Sequence, residues 1–306
     1  MLRRPGPLAL SGSHTSSLLL EAANPVSDVT APPRLQKLGG TPRLKDYVSQ
    51  VWRRREFAWS VAQGEIRAQH LDTALGNLWH LLNPLLQIGV YYLVFGVILG
   101  TDRGVENFIA FLAVGIFTFT FMQKSIMSGA STLVGKQGLI RSLQFPRALL
   151  PLSATMREAM AFGPAVAIML VVVLVTGEPV RVGWILVLPA LVLAAVFAAG
   201  FSFIGARLAD RYRDLLNVLP FLFRIAFYLS GVLYSVDAYI ENPLALRLLL
   251  LNPFYVFVSL PREYLMVTQT HDFVAWLWVS ATVWAILSAI FGVLVFRGGE
   301  REYGRG

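Results

Sequence analysis

A chain of 306 residues that is 56% hydrophobic and 14% charged, with a mean hydropathy of +0.60, carries more apolar surface than one soluble core of that size can bury. The surplus needs lipid. It has no cysteine, which excludes disulfides, thiolate metal sites and cysteine catalysis, and its net charge of +8 sits on cations that alternate with apolar spans instead of clustering into a nucleic-acid face.

Residues 1–43 are rich in Pro, Ser, Gly and Thr and lack a sustained apolar period, so they are expected to form a disordered cytoplasmic tail. Despite Arg3 and Arg4, the apolar run from Leu8 to Leu10 is far too short for a secretory signal. From Leu44, the residues Tyr47, Val48, Val51, Trp52, Trp59 and Ala62 recur at helical spacing, with Arg53, Arg54 and Glu56 on the other side. This predicts an amphipathic interface helix over about 44–63. It reads either as lying flat on the inner leaflet, with Trp52 and Trp59 at the headgroup level, or as packing on a soluble partner.

The stretch QHLDTALGNLWHLLNP (69–84) leads into the first of six apolar segments, 81–99, 108–127, 149–175, 182–204, 215–234 and 273–296. Each reaches or approaches the roughly 20 residues a helix needs to cross hydrocarbon. Lys124, near the end of the second, can snorkel to the interface. Cations collect in alternate connections, at Lys136, Arg141 and Arg147, at Arg207, Arg211 and Arg213, and at Arg297, Arg301 and Arg305. The opposite connections mix Arg103, Arg181, Arg247 and Arg262 with acidic residues, among them Asp102, Glu106, Glu178, Glu241 and Glu263. That asymmetry predicts a multi-pass protein with both termini cytoplasmic. Between spans five and six, the external connection 236–272 contains the apolar pieces 244–251 and 254–260, too short to cross and bounded by proline, which predicts a pair of short re-entrant helices that dip into lipid or pack on protein. The fold class expected is therefore an all-α integral membrane protein of six spans preceded by an interface helix.

Few residues point to chemistry. Gly129 to Lys136 resembles a phosphate-binding loop, but five residues separate its glycines and Gln137 stands where Ser or Thr would hold magnesium. The chain is therefore expected to bind no ATP. The four histidines show no ligand spacing, so no metal is assigned. Asp210 and Asp214 read either as a divalent-ion pair or, with Arg211 and Arg213 beside them, as a helix cap at the inner interface. Arg157 and Glu158 in the third span and Arg224 in the fifth are each costly facing lipid, by at least about 2.5 kcal/mol. They read either as a structural ion pair between Glu158 and one of these arginines or as a cation lining a path for an anionic lipid phosphate. Tyr91 and Phe95 share a face of span one, and Phe223, Phe227 and Tyr234 a face of span five, with Tyr92 and Tyr228 alongside; such faces either pack or stack on sugars. After the second span, 137–143 offers a short amphipathic helix, and Pro146 disfavours helical geometry at Phe145, so the next helix can begin at a sharp angle.

Four motifs occur in order: DTALGNLWHLLNP (72–84), LIRSLQFPRALLPLSA (139–154), YRDLLNVLPFLFRIAFYLSGVLYS (212–235) and LNPFYVF (251–257). Together they resemble the permease subunit of polysaccharide and teichoic-acid ABC exporters, in the type-2 exporter superfamily, over roughly residues 44–300. The resemblance implies a homodimer in the bacterial cytoplasmic membrane, carrying two copies of a separate nucleotide-binding ATPase that holds ATP and magnesium, while this chain binds no cofactor and catalyses no reaction. It implies that Gln137, Ile140, Arg141, Phe145, Pro146 and Arg147 form the ATPase-coupling contact. It further implies an aromatic-lined conduit between the first and fifth spans of the two protomers for a polyprenyl-diphosphate-linked glycan, with Tyr91, Tyr92, Phe95, Phe223, Arg224, Phe227, Tyr228 and Tyr234 as its path. Asn77 and His80 beside Trp79, and the long tail, depart from the pattern. Arginine outnumbers lysine 22 to 4, a bias of GC-rich genomes that favours an actinobacterial cell-wall galactan as cargo. The rival readings are a drug or small-lipid exporter, a membrane-embedded prenyl-phosphate glycosyltransferase and a passive scaffold.

Overall fold

The computed structural model describes residues 44–68, 78–100, 105–142, 145–235, 251–267, 274–300 and 303. The expected tail (1–43), most of the lead-in to span one (69–77) and the first re-entrant piece (244–250) lie outside the described residues.

Every regular element among the described residues is helical. Two interface helices, α1 (Leu44–Arg53) and α2 (Arg55–Ala68), replace the one expected over 44–63, with a turn at Arg54 between them. The break divides the apolar stripe. Tyr47, Ala58 and Ala62 are buried, whereas Trp52 and Trp59 stay 67% and 47% exposed, because α2 packs on the third span through its small residues and the tryptophans are left on the outside.

Span one is α3 (Trp79–Tyr91), continued without interruption by a π-helical segment, Tyr92–Ile98. Span two, α4 (Phe108–Gly135), is the central post of the molecule, and most of its length is buried. Asn107 caps it by accepting from Ala110 N–H at 3.2 Å, while its Nδ2 donates to Thr176 O (3.1 Å) and to Glu178 Oε1 (3.1 Å). Glu178 Oε2 in turn accepts from Val267 N–H at 2.9 Å, so one carboxylate ties three segments together at that end of the bundle.

A short helix, α5 (Gln137–Ser142), precedes span three, α6 (Leu149–Val175). Span four is a 3₁₀ turn, Val182–Leu186, running into α7 (Val187–Arg211). Without a hydrophobic drive between helices in lipid, small residues let backbones approach. A Cβ on Gly129 of α4 would lie 2.3 Å from Ser202 Cβ of α7, and one on Gly292 would lie 2.4 Å from Gly200 O. Gly292 belongs to the last span, Val274–Gly298.

Span five departs most from expectation. The apolar stretch 215–234 forms a helix, α8 (Leu215–Leu229), only over its first part. Its 15 residues rise about 22 Å, short of the roughly 30 Å hydrocarbon core. The chain turns at Gly231, whose φ of 62° is a conformation glycine adopts without penalty. Nor does Asp214 cap this helix: its backbone is already helical, at φ −62° and ψ −20°, and its side chain makes no cap hydrogen bond, since a capping carboxylate needs an extended backbone to reach back. Of the two re-entrant pieces, 254–260 belongs to a longer helix, α9 (Pro253–Leu265), capped by Asn252, which accepts from Phe254 N–H at 3.1 Å. It is buried in protein from Tyr255 to Glu263. The last span is α10 (Val274–Gly298). Among the described residues, five helices are thus long and apolar enough to cross a membrane, and α8 is a sixth, shorter apolar helix.

Candidate functional site

The elbow between α4 and α6 is built from the chain's interruptions. α4 ends at Gly135, α5 adds under two turns, and Pro146 lets α6 start in a new direction. Ile140 and Pro146 are buried, Gln137 and Arg147 half-buried, and Arg141 exposed. The Phe145 ring lies 5.2 Å from that of Phe57 in α2. Elbow and interface helices share a small second core with Tyr47, Leu133, Ala148, Leu150, Phe203, Phe296 and Tyr303, separate from the main one.

The tie that holds the elbow comes from the other end of the chain. Glu300, just beyond α10, accepts the Arg147 backbone N–H on Oε1 at 3.2 Å, and its carbonyl accepts from the Arg147 guanidinium. Burial holds the Glu300 carboxyl above the usual carboxylate range, outweighing the Arg147 N–H and the charges of Arg147 and Arg297, which pull it down. Burial, then the charge of Glu300, pushes the Tyr47 phenol up as well. Tyr303 packs on Phe296, donates to its carbonyl at 2.8 Å and lies under the Arg207 guanidinium, 5.4 Å from the ring centre. Sequence reasoning found the elbow and missed Tyr47, Glu300 and Tyr303 as its supports; the terminal arginines stood out as topology signals, and the carboxylate among them did not.

A polar network lies behind the elbow. Arg157 donates to Glu65 Oε2 and to Glu158 Oε1, each at 2.7 Å, and to Ser128 Oγ, while Lys136 pairs with the other oxygen of Glu65. Of the two readings of Arg157 and Glu158, the structure assigns the ion pair. Arg224 is exposed on α8, and among the described residues no carboxylate pairs with it.

Within the one chain, aromatic residues of spans one and five pack on each other. Tyr91 lies 5.6 Å from Phe227 and 6.2 Å from Phe95, between ring centres. Phe227 and Phe223 continue edge-on into Phe119 of α4, at 5.2 and 6.4 Å, and Phe223 reaches Phe254 of α9 at 5.8 Å. Phe223 is thereby part of the core, whereas Tyr92 and Tyr228 remain exposed. Tyr234 donates to the Tyr228 carbonyl at 3.0 Å. Phe119 and Phe254 complete this cluster and were not legible as members, because each sits among other aromatics in its own segment and only the packing selects the one that faces spans one and five.

No sequence signal pointed to Arg262. Read as an external loop cation, it is buried in α9, donating to Gly231 O (2.8 Å), Val232 O (2.9 Å) and Phe111 O (3.0 Å), with its guanidinium carbon 3.4 Å from the Phe111 ring centre. It receives the carbonyls where α8 stops. Among the described residues no three His, Cys, Asp or Glu side chains converge on a metal-sized point.

Residues 57–266 match the family model described as ABC-2 type transporter. Over 226 residues, 73% of this chain and 84% of the relative, the sequence is 29% identical to the O-antigen export system permease protein RfbA of Myxococcus xanthus. Two proteins of that name from Klebsiella pneumoniae are 26% identical over 68% of this chain and 24% identical over 70%; the match covers 83% and 85% of their own lengths.

Proposed function

This chain belongs to the ABC-2 type transporter family, and from that membership we propose that it is the membrane permease of an ATP-driven exporter of lipid-linked polysaccharide. The observation that carries the reading is the match to O-antigen export permeases along most of their own length. In this reading two copies pair in the bacterial cytoplasmic membrane with both termini inside, and each takes a separate ATPase subunit that holds ATP and magnesium. The chain itself binds neither and forms no covalent bond.

Closure of the ATPases pushes on Gln137, Ile140, Arg141, Phe145, Pro146 and Arg147. Support for transmission comes from the elbow's ties: Phe145 to the interface helix through Phe57, and Arg147 to the end of α10 through Glu300. A push there moves these elements together, since packed cores shift as bodies instead of deforming. The passage runs between the first and fifth spans of the two copies; within each copy Tyr91 packs on Phe227, and the exposed Tyr92, Arg224 and Tyr228 line the passage beside Phe95, Phe223 and Tyr234. Trp52 and Trp59 seat α1 and α2 at the headgroup level. For the cargo, the excess of arginine over lysine supports a cell-wall galactan precursor of a GC-rich actinobacterium.

Phe145→Ala with Pro146→Ala is expected to abolish co-purification of the partner ATPase and to leave polymer inside the cell. Normal association and normal export in that variant would overturn the coupling role. Lipid extracts from permease-depleted cells identify the stranded polymer, and accumulation of no polymer at all would overturn the polysaccharide reading in favour of a small-lipid or drug cargo.

A further inference from the structure

A groove of about 720 Å³, largely apolar with a stripe of polar side chains, opens between α3, α4 and α6, and of its lining only Tyr91 takes part in the passage described above. One wall is the face of α3 that carries Asn83, Gln87 and Tyr91, four residues apart; the other is the face of α4 that carries Thr120, Lys124 and Ser128, with the same spacing, and Glu158 of α6 closes the back. The matched spacing places each set on one side of its helix. Both stripes lie in segments read as membrane-spanning, where an ammonium facing hydrocarbon costs about 2.5–3.5 kcal/mol or more. The Lys124 stripe of the groove therefore faces something polar.

The charges around it balance except at one point. Glu158 is taken by Arg157 at 2.7 Å, Arg157 also by Glu65, and the second oxygen of Glu65 by Lys136. Lys124 has no hydrogen bond or ion pair among the described residues. Asn83 and Gln87 are exposed beside it, and the Gln123 amide donates only to the Met127 thioether, at 3.8 Å. A cation ringed by amide and hydroxyl donors is a phosphate site by its chemistry: the lysine supplies a point charge and the amides supply directed donors. The groove also has an apolar edge, since Leu86 and Val90 line it and stay exposed. An occupant with an anionic head and an apolar tail fits both parts.

We propose that this groove is the docking site for the diphosphate head of the polyprenyl carrier, with Lys124 as its anchoring charge and the Leu86–Val90 edge of α3 as the track for the prenyl chain. The proposal rests on the permease reading for the identity of the occupant. Lys124 lies past the midpoint of α4, on the elbow side, so in that reading the site stands in the half of the membrane where the carrier is loaded.

The test is binding of undecaprenyl diphosphate to the full chain in nanodiscs of zwitterionic lipid, by native mass spectrometry, with undecaprenol and phosphatidylglycerol as competitors. Lys124→Gln is expected to weaken binding about tenfold or more, the loss of one desolvated charge contact, while Lys124→Arg, which keeps the charge and controls for folding, retains it. Undecaprenol is expected to bind both variants and wild type alike and weakly. Equal binding by wild type and Lys124→Gln would overturn the site, and equal competition by phosphatidylglycerol would overturn the occupant. Because the assay contains no ATPase, its outcome separates from that of the export experiment: a Lys124-dependent carrier site in a chain that supports no export would sink the permease reading and leave the groove.

Discussion

A guanidinium at the centre of an apolar bundle is tolerated when its donors are filled, and Arg262 fills them with the carbonyls of Gly231 and Val232, in the turn that ends α8, and of Phe111 in α4. Arg262→Met removes the donors and leaves the carbonyls of Gly231 and Val232 buried and unpaired. We expect it to cost about 3 kcal/mol, read as a lowered melting temperature in detergent, with Arg262→Lys intermediate because an ammonium cannot reproduce the planar fork. Glu300 behaves differently, because its charge is the costly part. Its carboxyl is raised in the folded protein, so the folded state holds the proton more tightly than the unfolded chain does. Stability from this group is present below the unfolded pKa and is lost as pH rises through the folded one. Mild acidification across that window is therefore expected to tighten the elbow. Glu300→Gln is expected to flatten this component of the pH dependence of thermal unfolding, and an unchanged profile would count against the buried tie.

At the level of elements, the crossing of α7 and α10 depends on two glycines packed on the facing backbone, Gly292 against Gly200 and Gly200 against Ser288 and Ala289. Gly292→Val drives its side chain into Gly200 O, and the helices must separate or shift; a cost of about 1–3 kcal/mol is expected from overpacking of this kind. By contrast, Gly64 in α2 has nothing within 4 Å of the position a methyl group would take. Gly64→Ala is expected to stabilise by about 0.5–1 kcal/mol, so the pair of substitutions, compared in one thermal assay, separates close packing from helix propensity. The lengths of elements followed from local sequence where the apolar run was continuous: α6 occupies 149–175, as expected from composition alone. They did not at span five. There the run continues to Tyr234, but Gly231 and the distant Arg262 offer the backbone a better-satisfied alternative to another helical turn.

Over the whole molecule, the interface helices are held to the bundle by the second core and, among the described residues, by the carboxylate of Glu65, shared between Lys136 of the elbow and Arg157 of span three. Glu65→Gln is expected to speed amide exchange across α1 and α2 while leaving the spans protected, measured by hydrogen–deuterium exchange; uniform protection would show that the apolar contacts alone hold them. The sequence by itself determined that this chain is helical, that it belongs in lipid, where its long spans lie and that a proline elbow follows the second of them. Those properties depend on the transfer free energy of contiguous residues, which composition carries. Tertiary structure alone decided that Arg262 is a core residue, that Glu300 holds Arg147 across 153 positions, that Arg157 is consumed in an ion pair while Lys124 is left facing a groove, and that the fifth apolar stretch stops short. Each of these is a pairing between groups far apart in the chain, and such pairings are fixed by which faces the packed helices present to one another.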